Sequence, residues 1–320
     1  MPPPPPPQFA VVIPSYNRQD LIRATLDSIF KQDPPLGGGS WDIEVFVVDD
    51  GSKDDTVAIV QREYAGRVTL ITQANQGPGA ARHKGASAST ADYICFLDSD
   101  DLWFPWTLRR YAEAIEKHNR PAFIAGKPMF FREEKDAAAV KDAPLDAEYY
   151  EDFYKTSHGW LWWGASCFVV RADAYKRVGG MTQAFISGED ADLTLRMGVE
   201  KGFVHIKAPA TFAYRENPVG SWVSNVPRNH AGVKLLIDEE RAGKYPGGAA
   251  RKGERIKMIT RHTRWGSFLC LRGGDLGRAW GLYRDTFAWH LRLGKLKYLA
   301  GFPLMYAKTA MLRPEKKTHA

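Results

Sequence analysis

Within the first hundred residues, apolar runs alternate with amphipathic segments, and this alternation restricts the chain's fold more than any other feature. FAVVIP (9–14) and IEVFVVDD (43–50) read as buried strands, and RVTLIT (67–72) and ADYICFLD (91–98) as a third and a fourth strand. Between them, RQDLIRATLDSIFKQ (18–32) carries apolar residues at helical spacing. SKDDTVAIVQREY (52–64) opens with Ser52 and Asp55, the spacing of a capping box with Asp in place of Glu, and GPGAARHKGASAS (77–89) reads as a small-residue helix. Strands separated by helices imply an α/β fold, a mainly parallel sheet with helices on both faces. Ligands of such sheets bind beyond the carboxyl ends of the strands. Three polar clusters stand at those ends: PSYNR (14–18), DDGS (49–52) and DSDD (98–101).

The last cluster crowds Asp98, Asp100 and Asp101 at the end of a hydrophobic run. Carboxylates this close repel, and burial sharpens the conflict, so the pattern asks for a cation. If the strand persists to its end, Asp98 and Asp100 share one side and Ser99 takes the other. Two oxygen ligands on one side suit Mg²⁺ or Mn²⁺. The same letters also read as an acidic turn with Asp101 capping the following helix. A calcium loop counted from Asp98 fails, because Trp103 and Arg109 fall where Gly and Glu are needed. Asp49 and Asp50 close the second strand, where a dinucleotide-binding fold would hold ribose hydroxyls. That fold needs GxGxxG after its first strand, and PSYNR stands there instead; hydride transfer is disfavoured, while nucleotide binding survives.

The middle of the chain is less regular. Residues 133–157 are polar and acidic and read as a loop or variable helix. ASCFVVRADAYKRVGGM (165–181) reads as a strand, a short helix and a Gly-Gly turn. GEDADLTLRMGVEKG (188–202) reads as a helix whose first turn holds Glu189, Asp190 and Asp192, where the helix dipole favours anions. From about residue 229 the chain looks helical and basic. Its net charge of +7 is uneven: residues 251–320 hold 16 Lys and Arg against 4 Asp and Glu, so a basic end follows a mildly acidic body. Cys95, Cys167 and Cys270 form no CxxC pair, which argues against a disulfide framework or zinc site and for a reducing compartment. MPPPPPPQ (1–8) lacks the features of a signal peptide and reads as a disordered, Pro-rich tail. No run of 18 apolar residues suggests a membrane span.

VVIPSYNR, VVDDGSKDDT, NQGPGAARHKG, FLDSDDLW, GGM…GEDADLTLRM and YRENPVGS together resemble, in order and rough spacing, the family 2 inverting glycosyltransferases. The resemblance covers roughly residues 9–225, leaving 226–320 as a basic, mostly helical region. It implies a GT-A type, Rossmann-like fold and a metal-dependent enzyme, using Mn²⁺ or Mg²⁺, that moves one sugar from a nucleotide-sugar, commonly a UDP-sugar, to an acceptor hydroxyl. By the same resemblance Pro14, Tyr16 and Arg18 lie around base and ribose, Asp50 contacts the base, and Arg82 sits near base or diphosphate. Asp98 approaches ribose or sugar, and Asp100 ligates the metal. Asp190 takes the general-base position with Glu189 its neighbour, and Arg215 and Ser221 match a loop that closes over the diphosphate. The family setting is bacterial surface glycan or glycolipid synthesis, in the cytoplasm or at the inner face of the cytoplasmic membrane.

Trp162 and Trp163, in HGWLWWGAS, are candidates for acceptor contact, since aromatic faces stack on the apolar faces of sugars; core packing explains at least one Trp of this stretch equally well. The QxxRW signature of processive synthases is absent, which favours one sugar per encounter. His158, His205 and His230 are candidates for a further metal ligand, but a lone His is more often a surface or satisfied core residue, and none of them is assigned. The basic C-terminal region, rich in Trp and Tyr, is a candidate for peripheral membrane contact with a glycan or lipid-linked acceptor, or else a helical cap. No nucleic-acid reader motif accompanies its charge. Two rivals remain: a nucleotidyltransferase, which needs a Gly-rich basic loop where PSYNR stands, and a non-catalytic carbohydrate-binding protein, which intact Asp50, Asp100 and Asp190 argue against.

Overall fold

A computed structural model describes residues 7–35, 38–159, 161, 164–216 and 225–311. It divides into two compact units, Met1–Phe185 with Glu189–Gly220 and Ile186–Gly188 with Ser221–Ala320. In the first, β1 (Phe9–Ser15), β2 (Ile43–Asp49), β3 (Thr69–Thr72) and β4 (Tyr93–Phe96) are joined by α1 (Ile22–Phe30), α2 (Thr56–Glu63) and α3 (Pro78–Ala88). β1 lies parallel between β2 and β4, with Phe9 opposite both Ile43 and Tyr93. Every residue of β1 is buried, which is why its sequence is a continuous apolar run rather than an alternating one. The small-residue character of α3 has a packing cause. A Cβ on Gly85 would come within 2.6 Å of Val12 Cγ1 and 3.0 Å of Val48 Cγ2, so only glycine lets the helix approach β1 and β2 this closely.

The chain continues through β5 (Leu102–Trp103), α4 (Thr107–Lys117), β6 (Phe123–Ala125), β7 (Pro128–Phe131), α5 (Glu134–Ala138) and β8 (Asp146–Tyr150). After these come β9 (Phe168–Arg171), α6 (Ala172–Arg177), α7 (Glu189–Arg196), β10 (Phe203–Ala208) and β11 (Phe212–Arg215). The main sheet has the order β3-β2-β1-β4-β9-β6-β10-β8. β9 runs antiparallel to β4 and β6, and β8 antiparallel to β10; the other strands run one way, so the sheet is mixed but mainly parallel. A second sheet, β5-β11-β7, packs around Phe104, Trp106, Phe131 and Ala213.

Several local expectations are corrected. Residues 133–157 are not a loop or variable helix throughout, because Asp146–Tyr150 form an edge strand. That strand is half exposed and polar, so it carries no apolar signature; its pairing with β10 makes it a strand. The helix expected over 18–32 starts at Ile22. Its first residues are drawn to the segment after β2: Arg18 N donates to Thr56 Oγ1 at 2.8 Å and Gln19 N to Asp54 Oδ2 at 3.1 Å. Ser52 does not cap α2, which starts at Thr56; its hydroxyl instead accepts from Asn17 N at 2.9 Å.

The second unit contains α8 (Val226–Arg241), α9 (Lys252–Arg272), α10 (Leu276–Arg292) and α11 (Leu296–Met311). Asn225 and Asp275 cap α8 and α10 by accepting from the backbone of Arg228 and Arg278, both at 3.0 Å. Leu236, Ile237, Ile256, Ile259, Leu282 and Phe302 supply its core. No described helix is long and apolar enough to cross a membrane.

Candidate active site

The carboxyl ends of β1, β2 and β4 meet through short contacts. Asp50 N donates to Ser15 O at 2.8 Å, and Leu97 N to Val12 O at 3.1 Å. β4 stops at Phe96, and the chain then turns, with Asp101 N donating to Asp98 O at 3.0 Å. Side alternation along a strand is therefore not what gathers the acids. The turn brings Asp98, Asp100 and Asp101 together, one oxygen of each lying within 4.8 Å of the others. Asp101 caps no helix, since α4 begins only at Thr107. It is the third member of the cluster, unassigned in the sequence because consecutive acids also suit a cap.

The electrostatics of this turn are unbalanced. Burial first, then the neighbouring carboxylates, push the Asp100 and Asp101 carboxyls above the usual range. Arg18 answers partly, its Nη2 3.4 Å from Asp100 Oδ2. Arg215 holds the turn's backbone side: its N donates to Asp101 Oδ1 at 2.9 Å and its Nε to Asp100 O at 3.1 Å, while its guanidinium lies over the Phe131 ring. Asp101 Oδ2 remains buried without a hydrogen-bond partner. Three converging hard oxygen donors, one of them orphaned, fit a divalent cation such as Mg²⁺ or Mn²⁺. Among the described residues this is the group of three or more potential ligands that converges in this way.

Arg82, on α3, links the acidic turn to the start of α7. Its Nη2 donates to Asp98 Oδ1 and its Nη1 to Glu189 Oε1, each at 2.5 Å. Burial opposes its charge, but Asp98 and Glu189 outweigh it, so the guanidinium stays protonated. Beside Glu189, the Asp190 carboxyl is raised to about 7, first by burial and then by the charge of Glu189, with Arg82 pulling it back. Its Oδ1 accepts from Ala191 N at 2.7 Å. Tyr214, which sequence reading did not single out, keeps its hydroxyl proton firmly because burial and the charges of Asp98, Asp101 and Asp100 all disfavour ionisation.

At the neighbouring strand ends, Pro14 lies in β1 opposite Val48, and Tyr16 is 42% exposed. Asp50 is buried and engaged by its own chain. Oδ1 accepts from Gln73 Nε2 and Gln76 N, and Oδ2 from Gly77 N, all at 2.8 Å. It thereby shapes the loop between β3 and α3. Arg18 connects this side to the acidic turn, its backbone on Thr56 and its guanidinium on Asp100. The structure thus brings Arg18, Arg82, Asp98, Asp100, Glu189 and Arg215 into one contact network, with Asp190 beside Glu189. Ser221, Trp162 and Trp163 lie outside the described residues.

Comparisons with known proteins bear on the family and the fold. The model for glycosyl transferase family 2 matches residues 10–178. An uncharacterized glycosyltransferase of Haemophilus influenzae is 28% identical over 208 residues, covering 64% of this chain and 67% of that protein. The succinoglycan biosynthesis protein ExoW of Rhizobium meliloti is 27% identical over 200 residues, covering 57% and 61%. The matches thus span about two thirds of the length of the first of these relatives and less of the second. Among solved structures, Staphylococcus aureus TarS 1-349 in complex with UDP-GlcNAc superposes with a TM-score of 0.55 at 17% identity, over 90% of this chain and 92% of that one. The mannosyltransferase PcManGT of Pyrobaculum calidifontis, in complex with GDP-Man and Mn²⁺, gives 0.53 at 18% identity over 96% and 88%. At these identities the likeness establishes the fold, a GT-A type α/β architecture.

Proposed function

The chain belongs to glycosyl transferase family 2, and on that premise we propose that it moves one sugar from a nucleotide-sugar, a UDP-sugar, to a hydroxyl of a glycan or lipid-linked acceptor with inversion at the anomeric carbon. The observation that carries this reading is the buried Arg82 bridge, which fixes a cation-seeking acidic turn beside a carboxyl tuned to near-neutral pH. A divalent ion held by Asp98, Asp100 and Asp101 would neutralise charge on the departing diphosphate, a contribution of several kcal/mol. Arg18 and Arg215, already against the turn, offer positive charge to the same phosphate oxygens. Asp190 accepts the acceptor hydroxyl's proton as the new oxygen–carbon bond forms and the bond from the anomeric carbon to the diphosphate breaks. Such base catalysis is worth about 10²–10⁴-fold. A single displacement of this kind needs no protein nucleophile.

The names of relatives support a surface-polymer setting: ExoW in succinoglycan biosynthesis, and TarS of Staphylococcus aureus as a poly(ribitol-phosphate) beta-N-acetylglucosaminyltransferase, 34% identical over 121 residues. Nucleotide-sugars are cytoplasmic donors in such a setting, which puts the reaction in the cytoplasm or at the inner face of the membrane. The test is a panel of nucleotide-sugars with Mn²⁺, read by nucleoside diphosphate release and by calorimetric binding. Asp100→Ala is expected to abolish Mn²⁺-dependent binding, and Asp190→Asn to leave binding intact while slowing transfer by about 10² or more. Unchanged binding in the first variant would remove Asp100 from the ion site, and near-normal turnover in the second would mean another base.

A further inference from the structure

In the second unit, α11 is apolar on two opposite faces, and among the described residues only one of them is covered. Tyr298, Phe302, Tyr306 and Thr309 recur at helical spacing; Tyr298 and Phe302 are buried, and their rings pack on Phe268 of α9 and Tyr283 of α10. Half a turn away, Leu296, Ala300, Leu304, Ala307 and Met311 form a second stripe at the same spacing. Leu296 is 64% exposed, Leu304 73% and Met311 84%. α10 shows a matching feature, with Trp280, Phe287 and Leu291 exposed along one side and Arg284 between them. Trp280 joins the two helices, its ring 4.9 Å from that of Tyr306.

The charge around these stripes has one sign. Lys297 and Lys308 lie beside the outward stripe of α11, with Lys295 in the connection before it and Arg292 at the end of α10. From 276 to 311 the only acidic residue is Asp285, and it is held by Lys234 and Arg241. We propose that the outward stripes of α10 and α11, with their flanking lysines and arginines, dock onto an anionic lipid surface. Leucine, methionine and the aromatic rings would enter the boundary between headgroups and acyl chains, while the cations stay at the phosphate level. α11 has 16 residues, about 24 Å of helix, too short for a hydrocarbon core of about 30 Å, so it would lie in the surface rather than cross it. A second copy of the chain fits this face poorly, because two-fold pairing would oppose basic rims to basic rims. This inference is independent of the transferase reading.

Vesicle flotation of the full-length protein tests it, with phosphatidylcholine alone and with phosphatidylglycerol at about a third of the lipid. The protein is expected to float with the anionic vesicles and to be released by salt, and not to float with neutral ones. Leu296→Glu with Leu304→Glu should lower the partition at least tenfold, and Lys297→Gln and Lys308→Gln about fivefold each. These side chains are exposed, so unchanged circular dichroism and nucleotide-sugar turnover in solution should accompany the loss. Failure of the wild-type protein to float with anionic vesicles overturns the proposal, as does flotation of the variants at the wild-type level. A dimer that Leu304→Glu converts to monomer, without vesicle binding, would assign the face to self-association instead.

Discussion

At the scale of single residues, the proposed transfer rests on Asp190 as base. A carboxyl that titrates at about 7 is a competent base only when deprotonated, so transfer should rise with pH through about 7 and level off above it. Glu189 is the largest charge holding that carboxyl up, and it also neutralises Arg82. Glu189→Gln removes the repulsion and frees more of the Arg82 charge, and both changes favour the ionised Asp190. The acid limb of the pH–rate profile should therefore move down by about one unit. An unmoved or upward-shifted limb would show that Glu189 does not tune the base. Much of this network was legible in the sequence as motif letters: Arg82, Asp98, Asp100, Glu189, Asp190 and Arg215 all sit in the quoted motifs. Their mutual contacts were not, because Arg82 and Glu189 are 107 positions apart and Arg215 and Asp100 115. Nor could the sequence separate a capping Asp101 from a clustered one, since both need only an acid after a turn.

Among the elements, the fit of α3 against the sheet is the most exposed to test. Gly85→Ala places a methyl against Val12 and Val48 at distances that force one of them to move. A loss of about 1–3 kcal/mol in urea unfolding is expected, typical of overpacking a dense interior. Neutral or raised stability would mean that the helix shifts outward freely. The same packing explains why β1, β2 and β4 could be placed within a few residues from sequence, while β3, at the other edge of the sheet, is only partly buried. Strands buried on both faces write an unbroken apolar run, whereas β8, polar and at an edge, writes nothing that distinguishes it from a loop. Helix starts were legible only where local chemistry sets them. α1 begins late because Arg18 and Gln19 are held by Thr56 and Asp54, in the segment that follows β2.

For the whole molecule, stability should respond to pH through His290, fully buried on α10, whose ring lies 4.4 Å from that of Tyr298. Burial lowers its pKa to about 4 from the usual 6.5. The unfolded chain therefore binds the extra proton first, so this stabilisation is whole above about 6.5 and drains away as pH falls toward 4. The raised carboxyls of Asp100, Asp101 and Asp190 act in the opposite sense. The readout is accordingly the difference between wild-type and His290→Gln protein, which should shrink by a few kcal/mol between pH 7 and pH 4.5 in denaturant titrations. A constant difference would exclude the histidine. By itself the sequence determined the α/β class, the parallel strands of the first half, the polar clusters at three strand ends and the family, because burial periodicity and contiguous motifs are local properties of a chain. The two antiparallel insertions β9 and β8, the convergence of three acids through a turn, the Arg82 bridge and the uncovered second face of α11 were decided only in three dimensions. Each depends on which distant segment packs alongside, and no local pattern encodes that choice.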